Sequence, residues 1–185
     1  MAEAGICCWY DTIGELLKQD RGQFMDIMKT ALREHIQQPI DSSGLKSWRD
    51  EFKVLKYHTF GAFDRKTLAS WKCLKIAFEC VLPNQRRPDV LIFSERMIVV
   101  IEFKRRDTEF AGYLNQLRSY CRQLEKWEDV VRGRKVRGIL CYTGLKPKYV
   151  VKKRRHICSG DKLKDALLRL LGDSPKCEGA KGRRD

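Results

Sequence analysis

Residues Arg86–Asp107 read "RRPDVLIFSERMIVVIEFKRRD", and the fold turns on this stretch. Val90 to Phe93 is a short apolar run behind Pro88, and Met97 to Ile101 is apolar at every position. Short apolar runs rich in Val and Ile read as strands buried on both faces. "SER" between them is a tight connection, so the two runs form an antiparallel hairpin. Side chains alternate along a strand, which puts Glu102 and Lys104 on the face of Ile98 and Val100. The charges therefore stand where a buried layer opens at its rim. Asp89 opens the first strand, and the hairpin brings it beside the end of the second. Charged residues at strand ends are ordinarily solvated punctuation. Two acids side by side, however, cost free energy unless a cation joins them. Mg2+, which takes carboxylate and carbonyl oxygens, suits such a place.

The whole chain agrees with a charged partner. It has 185 residues, with 38 Lys and Arg against 24 Asp and Glu, for a formal net charge of +14. That length fits one domain, at most with an appendage. The positive excess points to a polyanion, nucleic acid before an anionic membrane surface. No apolar run approaches the length of a membrane span. The start, "MAEAGICCWYDTIGELL", lacks the basic beginning and long apolar stretch of a targeting segment, so a soluble cytoplasmic protein is expected. The eight cysteines include no CxxC pair, which predicts ordinary reduced thiols, and the three histidines are scattered.

Working outward from the hairpin, Thr12 to His35 carries a helical apolar period, with a break near Asp20–Gly22. "QQPIDSSG" is a loop, and Ser42 or Ser43 caps a helix with the stripe Leu45, Trp48, Phe52, Leu55. "TFGAFDRKTLAS" is an irregular connection, and "WKCLKIAFECVLP" is a strand ending at Pro83. After Lys104 a helix carries Phe110, Tyr113, Leu117, Tyr120, Leu124 and Trp127; "KVRGILCYTG" is the next strand, and "SGDKLKDALLRLLG" is a final helix capped by Ser159 or Asp161. The expected class is α/β, with a small mixed four-stranded sheet flanked by helices. Residues 1–72 form an N-terminal helical part, 73–172 the core in the same domain, and 173–185 a basic tail or linker.

Pro88–Asp89 followed by "EFK" at Glu102–Lys104 resembles the PD-(D/E)xK nuclease superfamily, whose fold is restriction-endonuclease-like. "QLRSY", Gln116 to Tyr120, matches the QxxxY motif of the branch that contains lambda exonuclease and the nuclease domains of recombination helicases. "CWYDTIGELL", "SWRDEFKVLK" and "FECVLPNQRRPDVLIF" together resemble a nuclease-like domain found ahead of Schlafen-type helicase modules in bacterial proteins, over roughly residues 8–145. A helicase module or partner is an accompanying expectation.

The resemblance implies a metal-dependent nuclease, acting on DNA before RNA, with endonuclease or exonuclease action left open. Asp89, Glu102 and the backbone carbonyl of Phe103 would hold Mg2+ or Mn2+. Lys104 would orient water or stabilise charge on phosphorus. Gln116 would hold a ligand group, and Tyr120 would contact nucleotide or pack in the core. Glu79 is favoured over Glu51 as a third acid because its strand parity matches that of Asp89. Arg86, Arg87 and the run Lys152, Lys153, Arg154, Arg155 would follow phosphates, as would Arg132, Arg134, Lys135 and Arg137, and Tyr149 would stack on a base or pack. The alternative is a catalytically inactive nucleic-acid-binding or scaffold domain.

Overall fold

The computed structural model describes residues 6–37, 41–106, 109–144, 149–152 and 155–177. The chain enters through a short strand, β1 (Trp9–Thr12), and turns into helices α1 (Ile13–Lys18) and α2 (Arg21–Ala31). Helix α3 (Ser42–Lys53) runs on through a π-helical stretch, Val54–Thr59, and α4 (Arg65–Trp71) follows. Then come β2 (Lys75–Phe78), β3 (Val90–Phe93) and β4 (Met97–Lys104). Helices α5 (Phe110–Glu125) and α6 (Glu128–Val131) lead to β5 (Lys135–Tyr142), and β6 (Tyr149–Lys152), β7 (Arg155–Ser159) and α7 (Leu163–Leu171) follow.

Each of the first four helices starts on an oxygen-bearing cap. Thr12, Asp20, Asp41 and Asp64 accept backbone N–H groups of Glu15, Gln23, Gly44 and Thr67. Such caps satisfy donors that have no partner inside the helix. Asp20 explains the expected break between α1 and α2. Asp41, rather than Ser42 or Ser43, caps α3. Helix α4 replaces the expected irregular connection. It is only two turns long, and Asp64 fixes its start by binding both the N–H and the hydroxyl of Thr67.

The sheet has seven strands in the order β1-β2-β3-β4-β5-β7-β6. The small four-stranded sheet expected from the sequence, and with it the restriction-endonuclease-like core as drawn there, is therefore corrected; the α/β class stands. The added strands are β1, β6 and β7. β1 is four residues long and runs directly into a helix, and β6 borders a lysine- and arginine-rich run, so neither shows the apolar run that announces a strand. Strands β1 to β4 are successively antiparallel, β5 lies parallel to β4, and β7 lies parallel to β5.

Alternation divides the strand residues between two cores. Ile76, Phe78, Val90, Ile92, Val99, Ile101 and Phe103 pack with Phe24, Phe52 and Trp71 from the N-terminal helices. Leu91, Phe93, Ile98, Val100 and Leu140 pack on the other face with Leu114, Leu117, Tyr120 and Leu124 of α5. Both faces of β4 are therefore dry, which is why it reads as a continuous apolar run. Gly138 of β5 lets α5 approach closely, since a Cβ there would lie 2.9 Å from Leu117 Cγ.

Four cysteines depart from the expected reduced thiols, while Cys8, Cys121, Cys141 and Cys158 are free thiols. Cys7 is bonded to Cys80 and Cys73 to Cys177. The β1–β2 register explains the first pair: Trp9 lies opposite Phe78, so Cys7 lies opposite Cys80. Only strand pairing brings together residues that stand 73 apart in sequence. Past α7 the chain returns to the hairpin turn, where the Glu95 N–H donates to the Lys176 carbonyl. Among the described residues no helix is long and apolar enough to cross a membrane.

Candidate active site

Strand pairing assembles the rim. Val90 lies opposite Ile101, so Asp89 comes beside Glu102, and its Oδ2 accepts the Phe103 N–H at 2.6 Å. By alternation Asp89 follows Leu91, and Glu102 and Lys104 follow Val100, all toward α5. Asp89, Glu102 and Lys104 line one cleft of about 760 Å3 with Glu79, Arg86, Arg87, Asn115, Gln116 and Tyr120. Lys104 Nζ donates to Glu102 Oε1 at 2.7 Å and lies 5.1 Å from the centre of the Tyr113 ring. Glu102 is 1 % exposed.

Glu79 stands opposite Asp89, its N–H donating to the Asp89 carbonyl at 3.0 Å, and both line the cleft. Strand β2 ends at Phe78, and Glu79 takes a positive φ of 51°. Its side chain is held by Trp48 Nε1, which donates to Oε1 at 2.9 Å, and by Arg87 Nε, 3.6 Å from Oε2. Trp48 belongs to α3, and so does Glu51, 2 % exposed, whose Oε1 accepts the Ser47 hydroxyl at 2.7 Å. The choice between Glu79 and Glu51 dissolves, since both approach the same carboxylate group. The signal for Glu51 was its place on α3, one turn from the Trp48 stripe, but only the packing of α3 over the end of β2 shows what that face meets.

The electrostatics express crowding. Desolvation pushes Glu51 up to about 8, with the Glu79 charge adding to it. Desolvation also pushes Glu102 up to about 7 against the lowering effect of Lys104. Asp89 is raised well above the ordinary carboxylate range by burial and then by the charges of Glu102 and Glu51. Glu79 is raised by burial although Trp48 and Arg87 oppose it. Burial alone would lower Lys104, but Glu102 and Asp89 outweigh it and leave its pKa raised. Four buried or half-buried carboxylates thus face two near cations, Lys104 and Arg87.

Removing an ion from water costs several kcal/mol, so four ionised acids beside two cations are not a stable arrangement. Either some acids hold protons or a further cation joins them. The residues fit a hard divalent cation in donor chemistry: all four are carboxylates. They fit it also in unspent capacity, since Glu102 Oε2 and Glu51 Oε2 are buried without a hydrogen-bond partner. Asp89, Glu102, Glu79 and Glu51 could hold such an ion. Among the described residues, though, no three His, Cys, Asp or Glu side chains stand as a ready-formed ligand set. Lys104, Trp48, Arg87, Ser47 and the Phe103 N–H hold the individual acids instead.

The remaining predicted residues divide. Gln116 Nε2 donates to Tyr120 Oη at 2.8 Å, so the two ends of "QLRSY" bind each other at the cleft wall. Tyr120 is buried in the α5 core, and desolvation pushes its hydroxyl up to about 12. The Phe103 ring packs on the far face, among the N-terminal helices. Arg86 is exposed at the mouth. The side chain of Lys152 and all of Lys153 and Arg154 lie outside the described residues; Arg155 is half-buried on β7. Tyr149 stacks on His156 with ring centres 5.7 Å apart and packs against the apolar core, its bland role. Arg132 and Lys135 line a separate depression at the opposite end of the sheet with Arg96 and Lys176. No protein-family model matches the chain, and comparison with curated proteins returns no match.

Proposed function

We propose that the chain is a metal-dependent nuclease that hydrolyses phosphodiester bonds of nucleic acid, DNA before RNA. One observation carries this reading: a cluster of buried carboxylates with a lysine among them, opening into a cleft walled by Arg86 and Arg87. The "PD", "EFK" and "QLRSY" motifs of the PD-(D/E)xK resemblance all fall on that cleft, which supports it. Asp89, Glu102, Glu79 and Glu51 would hold Mg2+ or Mn2+. When bound, that ion supplies neutralisation of the scissile phosphate and a lowered pKa for attacking water.

The chain's own residues supply the rest. Arg86, exposed at the mouth, attracts and seats a phosphate. Lys104 keeps its proton and offers an ammonium where negative charge gathers on phosphorus. Trp48 and Arg87 fix Glu79, and the Phe103 N–H fixes Asp89, so the acids need little reordering during reaction. Gln116 and Tyr120 brace the α5 wall of the cleft.

A second reading is a nucleic-acid-binding domain without catalysis. The Lys104–Glu102 pair favours it, because the lysine already occupies Oε1, one of the two Glu102 oxygens that an ion could use. Incubation with plasmid, linear duplex, single-stranded DNA and RNA, in Mg2+, Mn2+ or EDTA, separates the two. Cleavage in Mg2+ or Mn2+, abolished by EDTA and reduced at least about 100-fold in Glu102→Gln, is the expected result. Product formation equal in wild type and Glu102→Gln, or none with any substrate and metal, would leave the binding domain.

A further inference from the structure

The carboxylate cleft does not end at Gln116. Asn115 belongs both to its wall and to a shallow groove formed by Arg118, Ser119, Arg122, Gln123 and Lys126. These positions recur every three or four residues, so they form one stripe along the outer face of α5. The stripe carries no acid; the one acidic residue of α5 is Glu125, near its end.

Beside the stripe, β7 contributes a further cation. Arg155 has the strand parity of Ile157, which packs in the α5-side core, so it faces α5. Its pKa is lowered first by burial and then by the charges of Arg118 and Arg122. Among the described residues none of Arg118, Arg122 and Arg155 has a carboxylate within ion-pairing distance. Arg118 donates to Asn115 Oδ1 at 2.9 Å, while its Nε is buried without a hydrogen-bond partner. Like charges held together cost stability unless an anion joins them, the inverse of the situation in the cleft. A planar guanidinium with unspent donors suits phosphate oxygens.

We infer that the outer face of α5, through Arg118, Arg122 and Lys126 together with Arg155, is the track along which the sugar–phosphate backbone of a nucleic acid runs from the carboxylate cleft. From Asn115 to Lys126 the helix rises about 16 Å, enough to follow about five phosphates of one strand. Through its guanidinium and ammonium groups the contact is to phosphate, whatever the sequence. The inference rests on the proposed function only for the class of its occupant, a nucleic acid; it does not require cleavage.

The test measures binding in EDTA, where catalysis plays no part. The probes are fluorescein-labelled 20-nucleotide DNA, single-stranded and duplex, the same sequence as RNA, and a poly-glutamate peptide. Arg118→Gln/Arg122→Gln/Arg155→Gln should weaken binding to DNA or RNA at least about tenfold, alike for unrelated sequences, and make the salt dependence shallower by about two to three in slope. The corresponding triple Lys variant should keep most of the salt slope, because charge and not guanidinium packing is what the track supplies. A 4-nucleotide probe should bind weakly and lose little in the Gln variant. Unchanged affinity and slope for the 20-mers in a Gln variant with wild-type thermal midpoint would overturn the track. So would equal binding of poly-glutamate, since any polyanion, not phosphate, would then be the occupant. If metal-dependent cleavage is absent while the Gln variant still loses affinity, the track stands and only the catalytic reading falls.

Discussion

The two ends of the β3–β4 hairpin carry the same kinds of residue and treat them oppositely. At the turn, Glu95 and Arg96 project into water, and Ser94 closes the loop by exchanging hydrogen bonds with Met97. At the open end, about 23 Å along β4, Glu102 is buried beside Asp89 and Lys104. The difference is coverage. Helices α3 and α5 close over the open end from the two sheet faces, and Glu79 turns in from the end of β2, whereas the turn end lies at the molecular surface. A charge in water needs no partner, and a surface ion pair contributes little. A buried charge must be matched, and four carboxylates there outnumber their cations. The comparison separates strand-end charges that punctuate from those that can do chemistry.

The largest effect that could break this contrast is at Lys104. Lys104→Ala removes a cation from the carboxylates but no candidate ligand. Cleavage should fall about 100- to 1000-fold, the cost of losing one well-placed transition-state donor. Mn2+ binding, followed by calorimetry, should persist or tighten, because the ammonium no longer occupies Glu102 Oε1. Near wild-type cleavage in this variant would remove lysine from the mechanism. Loss of Mn2+ binding together with cleavage would show that the pair is structural.

The next effect is on stability and needs no substrate. A carboxyl with a higher pKa folded than unfolded binds more protons when folded. Its contribution is full below the unfolded value and is lost as pH rises through the folded one. Glu51 moves from 4.5 to about 8 and Glu102 from 4.5 to about 7. Metal-free protein in EDTA should therefore lose thermal stability as pH rises from about 5 to about 8. Glu51→Gln should raise the midpoint at pH 8, by about 2–4 °C for each kcal/mol recovered, and change it little at pH 5. Millimolar Mn2+ should flatten the wild-type pH slope. A slope of the opposite sign, or one untouched by Glu51→Gln, would show that these acids are not the crowded group described.

The smallest effect is the control at the turn. Glu95→Gln and Arg96→Gln should each change the thermal midpoint by an amount worth no more than about 0.5 kcal/mol. A larger change at either residue would mean that the turn end is not the solvated counterpart of the open end; its backbone contact to Lys176 is unaffected by either substitution.

Much of this was legible in "RRPDVLIFSERMIVVIEFKRRD". Its unbroken apolar runs required two dry faces, and period-two alternation required Glu102 and Lys104 to share the face of Val100. The α5 period was equally plain, from Phe110 to Leu124. Each of these depends on neighbours a few residues away, so the local pattern suffices for it. The sheet size depends on packing, since β1, β6 and β7 are short, β1 gains its ladder from β2, distant in sequence, and the β6–β7 hairpin joins the sheet only through β5. Packing alone put Cys7 opposite Cys80, brought Glu51 from α3 into the group around Asp89, and turned Arg155 of β7 toward the α5 side of the sheet. Burial, and the pKa shifts and unmatched charge that follow from it, are properties of what covers a residue, and no local pattern records the cover.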